Sequence, residues 1–159
     1  MTSSLPSALR RHAFLAGLAP QDVELLAAAA AEVRFPAGHR LFEEGGPAER
    51  FWLIREGRVA LDIRLPGQER LIVQTLGEGD IIGLSWLEAP REWQFGAEII
   101  QPTAAFELDA AAVRTLCEGQ PQLGYQLVRR LMAVTTSRLQ ATRIRLLDLY
   151  GGGAPLGAA

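Results

Sequence analysis

The sequence contains no lysine, and all 16 of its Lys and Arg positions are arginines. Together with 18 acidic side chains, they give a formal net charge of −2. Without an excess of positive charge, no overall field favours nucleic acid or an anionic membrane. Cysteine is nearly absent, with Cys117 alone, and the two histidines are His12 and His39. A single cysteine excludes an internal disulfide, and these three residues provide no metal-binding cluster.

Long hydrophobic runs are also missing. No apolar stretch approaches the roughly 20 residues that a membrane-spanning helix needs, and no signal-peptide core follows Arg10 and Arg11. We therefore expect a cytoplasmic protein with no membrane partner. A length of 159 residues with 48% hydrophobic and 21% charged residues is typical of one soluble globular domain. No nucleophile–base pair or metal set stands out, so we expect no enzymatic activity.

The hydrophobic pattern changes twice along the chain. Residues 7–31 favour N-terminal helices, at 7–16 and 20–31, since Pro20 suits a first helical turn and alanines follow it. Residues 33–108 contain short strand-like runs separated by glycine and proline turns, of which Glu56–Gly57 is one. After Val33 these runs are 41–42, 51–54, 59–63, 71–73, 81–82, 97–100 and 104–108. We predict a mainly β fold with flanking helices, built on an eight-stranded antiparallel β-roll of the jelly-roll type.

Helical signals return after the strands. Asp109 suits the N-cap of a short helix over 109–119, which Gly119 ends. Pro121 then opens a long helix over 121–150. We expect residues 1–150 to form a single domain and residues 151–159 to be a flexible tail, because glycine and alanine there have nothing to pack.

The long helix carries two apolar stripes of different length. The shorter stripe consists of Leu123, Leu127, Leu131 and Val134. The longer stripe alternates spacings of four and three residues, as a heptad seam does, and consists of Val128, Met132, Thr135, Leu139, Thr142, Leu146 and Leu149. Because the helix is about 40 Å long, this seam outruns a small barrel and predicts a parallel homodimer. The alternative is that both stripes pack within one monomer. The flanking arginines, interpreted as a solvated face, are Arg138, Arg143 and Arg145.

Several segments resemble a known family. GHRLFEEGGPAERFWLIREGRVAL (38–61), LGEGDIIG (76–83) and FELDAAAVRTL (106–116) are similar to the cyclic-nucleotide-binding domain. This is the sensor domain of the catabolite-activator (CRP/FNR) superfamily, of gated channels and of cyclic-nucleotide-dependent kinases. RRLMAVTTSRL (129–139) and LLDLYG (146–151) resemble the dimerisation helix and hinge of the transcription factors. A helix-turn-helix domain follows that hinge in those factors, whereas only eight residues follow here, so we expect no direct DNA binding.

The resemblance places the ligand cassette in a tryptophan-rich stretch near the middle of the chain. In the family, a glutamate after the first glycine binds the ribose, and an Arg-Ser/Thr-Ala triplet closes the cassette. Its arginine pairs with the cyclic phosphate, which also lies against backbone N–H groups of a short helix. The corresponding candidate residues are Gly83, Leu84, Ser85, Trp86, Arg91, Trp93, Phe95, Gly96 and Ala97. Leu84 stands in place of the glutamate, and Phe95 stands in place of the arginine.

Both charged ligand contacts of the family are therefore absent. Loss of one partner of a buried charge pair costs about 2–5 kcal/mol, or roughly 30- to 4000-fold in affinity. Cyclic nucleotide is thus a disfavoured ligand. Arg91 offers an alternative contact for the phosphate, and the tryptophans either fill the vacated pocket or line it for another ligand. The resemblance also implies a pocket contribution from the long helix, through Thr135 and Thr136.

These features predict a non-enzymatic regulatory or sensor module that has lost or altered its cyclic-nucleotide affinity. It would act through dimerisation and an unidentified protein partner. One alternative is a genuine cyclic-nucleotide-binding protein with a rearranged cassette. Another is a protein-interaction subunit whose own aromatic side chains fill the pocket.

Overall fold

A computed structural model of the chain describes residues 4–151, so the predicted tail lies, apart from Gly151, outside the described residues. The helices of this part are α1 (Leu5–Arg10), a 3-10 turn (Ala13–Leu15), α2 (Pro20–Ala27), α3 (Ala110–Gly119) and α4 (Pro121–Gly151). The strands are β1 (Ala30–Phe35), β2 (Arg40–Phe42), β3 (Arg50–Arg64), β4 (Arg70–Leu76), β5 (Ile81–Ile82) and β6 (Gly96–Asp109). No helix within residues 4–151 is long and apolar enough to cross a membrane.

Antiparallel pairing of the two longest strands forms the centre of the roll. β3 pairs with β6 from Arg50 opposite Asp109 to Asp62 opposite Gly96. The sheet runs in the order β1-β6-β3-β4, while β2 pairs with β6 and β5 pairs with β3. The mainly β architecture with flanking helices is therefore as predicted.

The predicted number of strands is wrong, because residues 4–151 contain six strands and not eight. The runs 51–54 and 59–63 belong to one strand, β3, and the runs 97–100 and 104–108 belong to β6. The register of β3 against β6 shifts around Glu56 and Arg58, so Glu56–Gly57 forms a bulge instead of a reversing turn. Gly57 has φ 113°, a positive φ that a bulge accommodates as well as a turn does.

The alanine-rich segment also departs from its prediction, since α2 ends at Ala27 and not near residue 31. Ala30 and Ala31 instead pair with Leu108 and Glu107 at the edge of the sheet. Backbone pairing with β6 has therefore overridden the helical propensity of alanine.

His12 joins the N-terminal helices to the roll. Its Nε2 lies 2.8 Å from the Ile54 carbonyl oxygen, and its Nδ1 accepts from the Phe14 N–H at 3.1 Å. Because Nδ1 is an acceptor, the ring is neutral with its proton on Nε2. Burial lowers the pKa of His12, which favours this neutral form.

Helix α4 packs on the roll through one apolar side and several arginines. Leu123, Leu127 and Leu131 are buried. Arg130 Nη2 donates to the Ala16 carbonyl oxygen at 2.6 Å. Arg138 donates to the Ile81 carbonyl oxygen, and Arg145 donates to that of Val73. The interpretation of Arg138 as part of a solvated face is therefore wrong, since it is half-buried against β5 and burial lowers its pKa.

The bulge at Gly57 can be tested by alanine substitution. A Cβ at Gly57 would lie 2.6 Å from Thr103 Cα and 2.7 Å from the Pro102 carbonyl oxygen, whereas a Cβ at Gly67 would meet nothing within 4 Å. Both glycines have positive φ. We expect Gly67→Ala to cost about 1–2 kcal/mol of unfolding free energy from backbone strain alone. Gly57→Ala should cost at least about 1–3 kcal/mol more, from overpacking. Urea unfolding measures both, and equal losses would contradict the close packing at the bulge.

Candidate functional site

The cassette connects β5 to β6 and begins at Gly83, whose backbone has φ 100°. A Cβ built on Gly83 would lie 2.8 Å from the ring of Trp93 and 3.4 Å from Phe51 Cβ. Glycine is therefore required here because the Trp93 indole already occupies the adjoining space. Residues 85–90 form turns and bends, whereas the family resemblance implies a short helix at this point.

Trp93 is held in the interior by an aromatic stack and by backbone pairing. Its ring lies parallel to Phe42, with centroids 4.0 Å apart, and tilts against Trp52 at 6.1 Å. The main-chain N–H of Trp93 donates to the Gly46 carbonyl oxygen, and its main-chain carbonyl oxygen accepts from the Gly45 N–H, both at 2.8 Å. The indole is 5% exposed, so it is a core side chain.

Trp86 anchors the other part of the cassette. Its ring stacks on Phe51 with centroids 4.2 Å apart and is 1% exposed. Its carbonyl oxygen accepts from Arg114 Nη1 at 2.6 Å, which ties the cassette to α3. Its Nε1 is buried and has no hydrogen-bond partner among residues 4–151. Both cassette tryptophans thus serve as packing groups.

The two positions that should carry ligand charges are apolar and differ in burial. Leu84 is half-buried beside Ser85, which is also half-buried. Phe95 is 41% exposed, so its ring does not occupy the core that Trp93 fills. Ala97 is fully buried and pairs with Leu61 and Phe42.

Arg91 lies apart from the other cassette residues. It is exposed and has φ 55°. Its N–H donates to the Glu88 carbonyl oxygen at 3.0 Å, and its carbonyl oxygen accepts from the Ala48 N–H at 2.8 Å. Its side chain lines a cleft formed by residues 47–50 and the start of α3, a cleft that contains none of the other candidate cassette residues.

Gly96, the middle residue of the family triplet, lies under an ion pair that sequence reasoning missed. A Cβ at Gly96 would fall 2.0 Å from Arg40 Nη2 and 2.5 Å from Asp62 Oδ1. Arg40 binds Asp62 through two hydrogen bonds, of 2.5 and 2.7 Å, and its Nε donates to Glu43 Oε1 at 2.7 Å. Glycine in place of serine or threonine at position 96 was the available signal.

The guanidinium of Arg40 lies at the end of the cassette, where the carboxylates of Asp62 and Glu43 balance its charge. The hydrogen bond to Asp62, followed by that to Glu43, raises the pKa of Arg40. The hydrogen bond from Arg40 in turn lowers the pKa of Glu43. Arg70 Nη2 also contacts Glu43, at 3.3 Å, so the network joins β4 to β2 and β3.

The predicted seam lies on the outer side of α4. Its five aliphatic side chains are all exposed, from 44% for Val128 to 80% for Leu149. Thr135 and Thr142 are exposed too, and each hydroxyl donates to a carbonyl oxygen four residues earlier on α4. Thr136 is also exposed. The seam residues are Val128, Met132, Thr135, Leu139, Thr142, Leu146 and Leu149.

Comparison with known proteins identifies the family. Residues 32–120 match the sequence profile of the cyclic nucleotide-binding domain. A CRP-like cAMP-activated global transcriptional regulator of Mycobacterium tuberculosis is 29% identical over 147 residues, which are 92% of this chain. The chain spans 64% of the length of that regulator.

Solved structures agree on the fold. A cyclic nucleotide-binding domain from Methylobacillus flagellatus superposes with a TM-score of 0.76 at 22% identity, covering 91% of this chain and 81% of that one. The catabolite activator protein of Thermus thermophilus gives a TM-score of 0.69 at 23% identity, covering 87% of this chain and 63% of that one. With more than half of its residues inside the matched profile, the chain belongs to the cyclic nucleotide-binding domain family, whose members are regulatory domains and not enzymes.

Proposed function

We propose that this chain is a homodimeric regulatory module whose cassette is filled by its own aromatic side chains, and which acts through a protein partner instead of through cyclic-nucleotide binding. The packing of Trp93 against Gly83 is the observation that carries this proposal. The indole lies next to Gly83. In the family, the short helix that binds the phosphate follows this position.

The packing of Trp93 makes entry of a nucleotide costly. A ligand that reached Gly83 would have to displace the Trp93 indole, which stacks on Phe42 and is only 5% exposed. Removal of a buried Phe or Trp side chain costs about 3–5 kcal/mol. The apolar residues at positions 84 and 95 remove the charged contacts that would offset this cost.

Neither nearby arginine is suited to replace the missing contact. Arg91 lines a cleft beside residues 47–50 and α3. Arg40 lies at the cassette, but Asp62 and Glu43 already bind its guanidinium. A cyclic phosphate there would have to compete with two carboxylates. These contacts argue against the alternative of a rearranged cyclic-nucleotide site.

Dimerisation is supported by the unequal faces of α4. The stripe that includes Leu123, Leu127 and Leu131 is buried in the hydrophobic core. The seam instead exposes apolar side chains along several helical turns, in a heptad pattern typical of paired helices. A second copy of this chain, with the same seam, is the partner that this pattern fits.

Calorimetry with cyclic AMP and cyclic GMP tests the filled cassette. We expect no saturable heat at sub-millimolar ligand for the native chain, because the charges are missing and Trp93 fills the site. The double variant Leu84→Glu/Phe95→Arg should also fail to bind either cyclic nucleotide, since the Trp93 indole still fills the site. Addition of Trp93→Ala to this double variant should allow binding.

A matched control separates the opening of the site from general loosening of the core. Trp86→Ala, added to the same double variant, also removes a buried indole, but one that stacks on Phe51. It should not restore binding. Sub-millimolar binding by the native chain or by the double variant would refute the filled cassette.

Sedimentation velocity tests the seam. Leu139→Asp should shift the chain towards monomer, because it buries a charge in the apolar interface. Ile144→Asp is the control, since Ile144 is 60% exposed on α4 but outside the seam. An unchanged sedimentation coefficient for Leu139→Asp, or an equal shift for both variants, would contradict the assignment.

A further inference from the structure

The cleft lined by Arg91 has a chemical character of its own. It has a volume of about 440 Å³ and lies between the cassette, the start of β3 and the start of α3. Three arginines line it, Arg50, Arg91 and Arg114, together with the acidic residues Glu49 and Asp109. We call it the arginine cleft. The three arginines lie far apart in the sequence, on β3, in the cassette and on α3, and the fold brings them to one cleft.

The three guanidinium groups have few partners. The side chain of Arg91 has no ion pair or hydrogen bond with any of residues 4–151. Arg50 makes one long contact, 3.8 Å from its Nη1 to Glu107 Oε1. Arg114 uses Nη1 on the Trp86 carbonyl oxygen. Since each guanidinium carries five N–H donors, most of the donors in the arginine cleft are left for another acceptor.

The acidic groups do not balance this set. Asp109 Oδ1 accepts from the Ala112 N–H at 3.1 Å as the N-cap of α3. Glu49 is exposed, and its carbonyl oxygen accepts from the Ala110 N–H. The residues that line the arginine cleft are thus three arginines and two acidic residues, a positive excess in a chain with a net charge of −2, and Glu107, the contact of Arg50, lies outside this lining.

The main chain at Arg91 is held on both sides. Its main-chain N–H donates to the Glu88 carbonyl oxygen, and its carbonyl oxygen accepts from the Ala48 N–H. These two hydrogen bonds fix the Cα from which the side chain starts. The neighbouring Glu92 forms a bridge with Pro47. The guanidinium of Arg91 is thus carried by a constrained loop, which limits the ordering that a ligand would have to impose.

We propose that the arginine cleft binds a phosphate dianion, either free or as the monoester of a small organic molecule. Guanidinium groups bind phosphate oxygens through paired, charge-assisted hydrogen bonds. A water molecule takes up about 30 Å³ in the liquid, so the cleft has room for a phosphate and an attached organic group. The exposed apolar side chains of Pro47 and Ala111 provide a surface for that group.

This site is separate from the aromatic-filled cassette. Its ligand would contact the outer surface of the cassette loop at Arg91, with Gly83 and Trp93 outside the cleft. The proposal therefore stands whether or not the cassette takes a cyclic nucleotide.

Calorimetry at constant ionic strength tests the site. The full chain is titrated with inorganic phosphate and, separately, with phenyl phosphate, with sodium chloride replaced so that total ionic strength is fixed. We expect saturable binding with one site per chain. Equal affinity for the two ligands assigns free phosphate, and tighter binding of phenyl phosphate assigns a monoester.

Two substitutions locate the binding. Arg91→Gln should raise Kd about tenfold or more, since it removes a charge-assisted contact. Arg58→Gln is the matched control, because Arg58 is an exposed arginine on β3 outside the cleft. It should leave Kd unchanged. Unfolding by urea verifies that both variants are folded. The absence of saturable binding, or an equal rise in Kd for both variants, would overturn the proposal.

Discussion

The long antiparallel pairing of β3 with β6 is the constraint on which the other elements depend. It continues through the bulge at Gly57 and brings Asp62 opposite Gly96, where the cassette ends. It also brings Arg50 opposite Asp109, where α3 begins. One strand pair thus sets the position of both the filled cassette and the arginine cleft. A change in its register would move the two sites together.

Within that frame, the cassette has become part of the hydrophobic core. Trp93 reaches Phe42 and Trp52, and Trp86 reaches Phe51, so the segment that holds the ligand in the family here contributes two buried indoles. Large aromatic side chains contribute strongly to core energetics. The charged groups near the cassette lie outside this core, in the Arg40–Asp62 pair over Gly96 and in the arginines beside α3. Core packing and the proposed phosphate site therefore depend on different residues.

The sequence alone was sufficient for the mainly β fold class with flanking helices, because strand periodicity and turn spacing are local signals. It was insufficient for the strand count, since a glycine with positive φ serves a bulge at Gly57 as readily as a turn. Arg40 and Asp62 are 22 positions apart, so their pairing depends on the register of the roll. The direction of Arg91 likewise depends on where Ala48 lies.

Three of the five arginines of α4 donate to main-chain oxygens, those of Ala16, Ile81 and Val73. A carbonyl oxygen belongs to every residue type, so no side-chain replacement at these three positions deletes an acceptor. Side-chain changes at these positions therefore leave the hydrogen bonds to α4 in place, although Ile81 is itself a buried core residue. In these three contacts the specific side chains are those of Arg130, Arg138 and Arg145, and the partner residues contribute the path of their backbone.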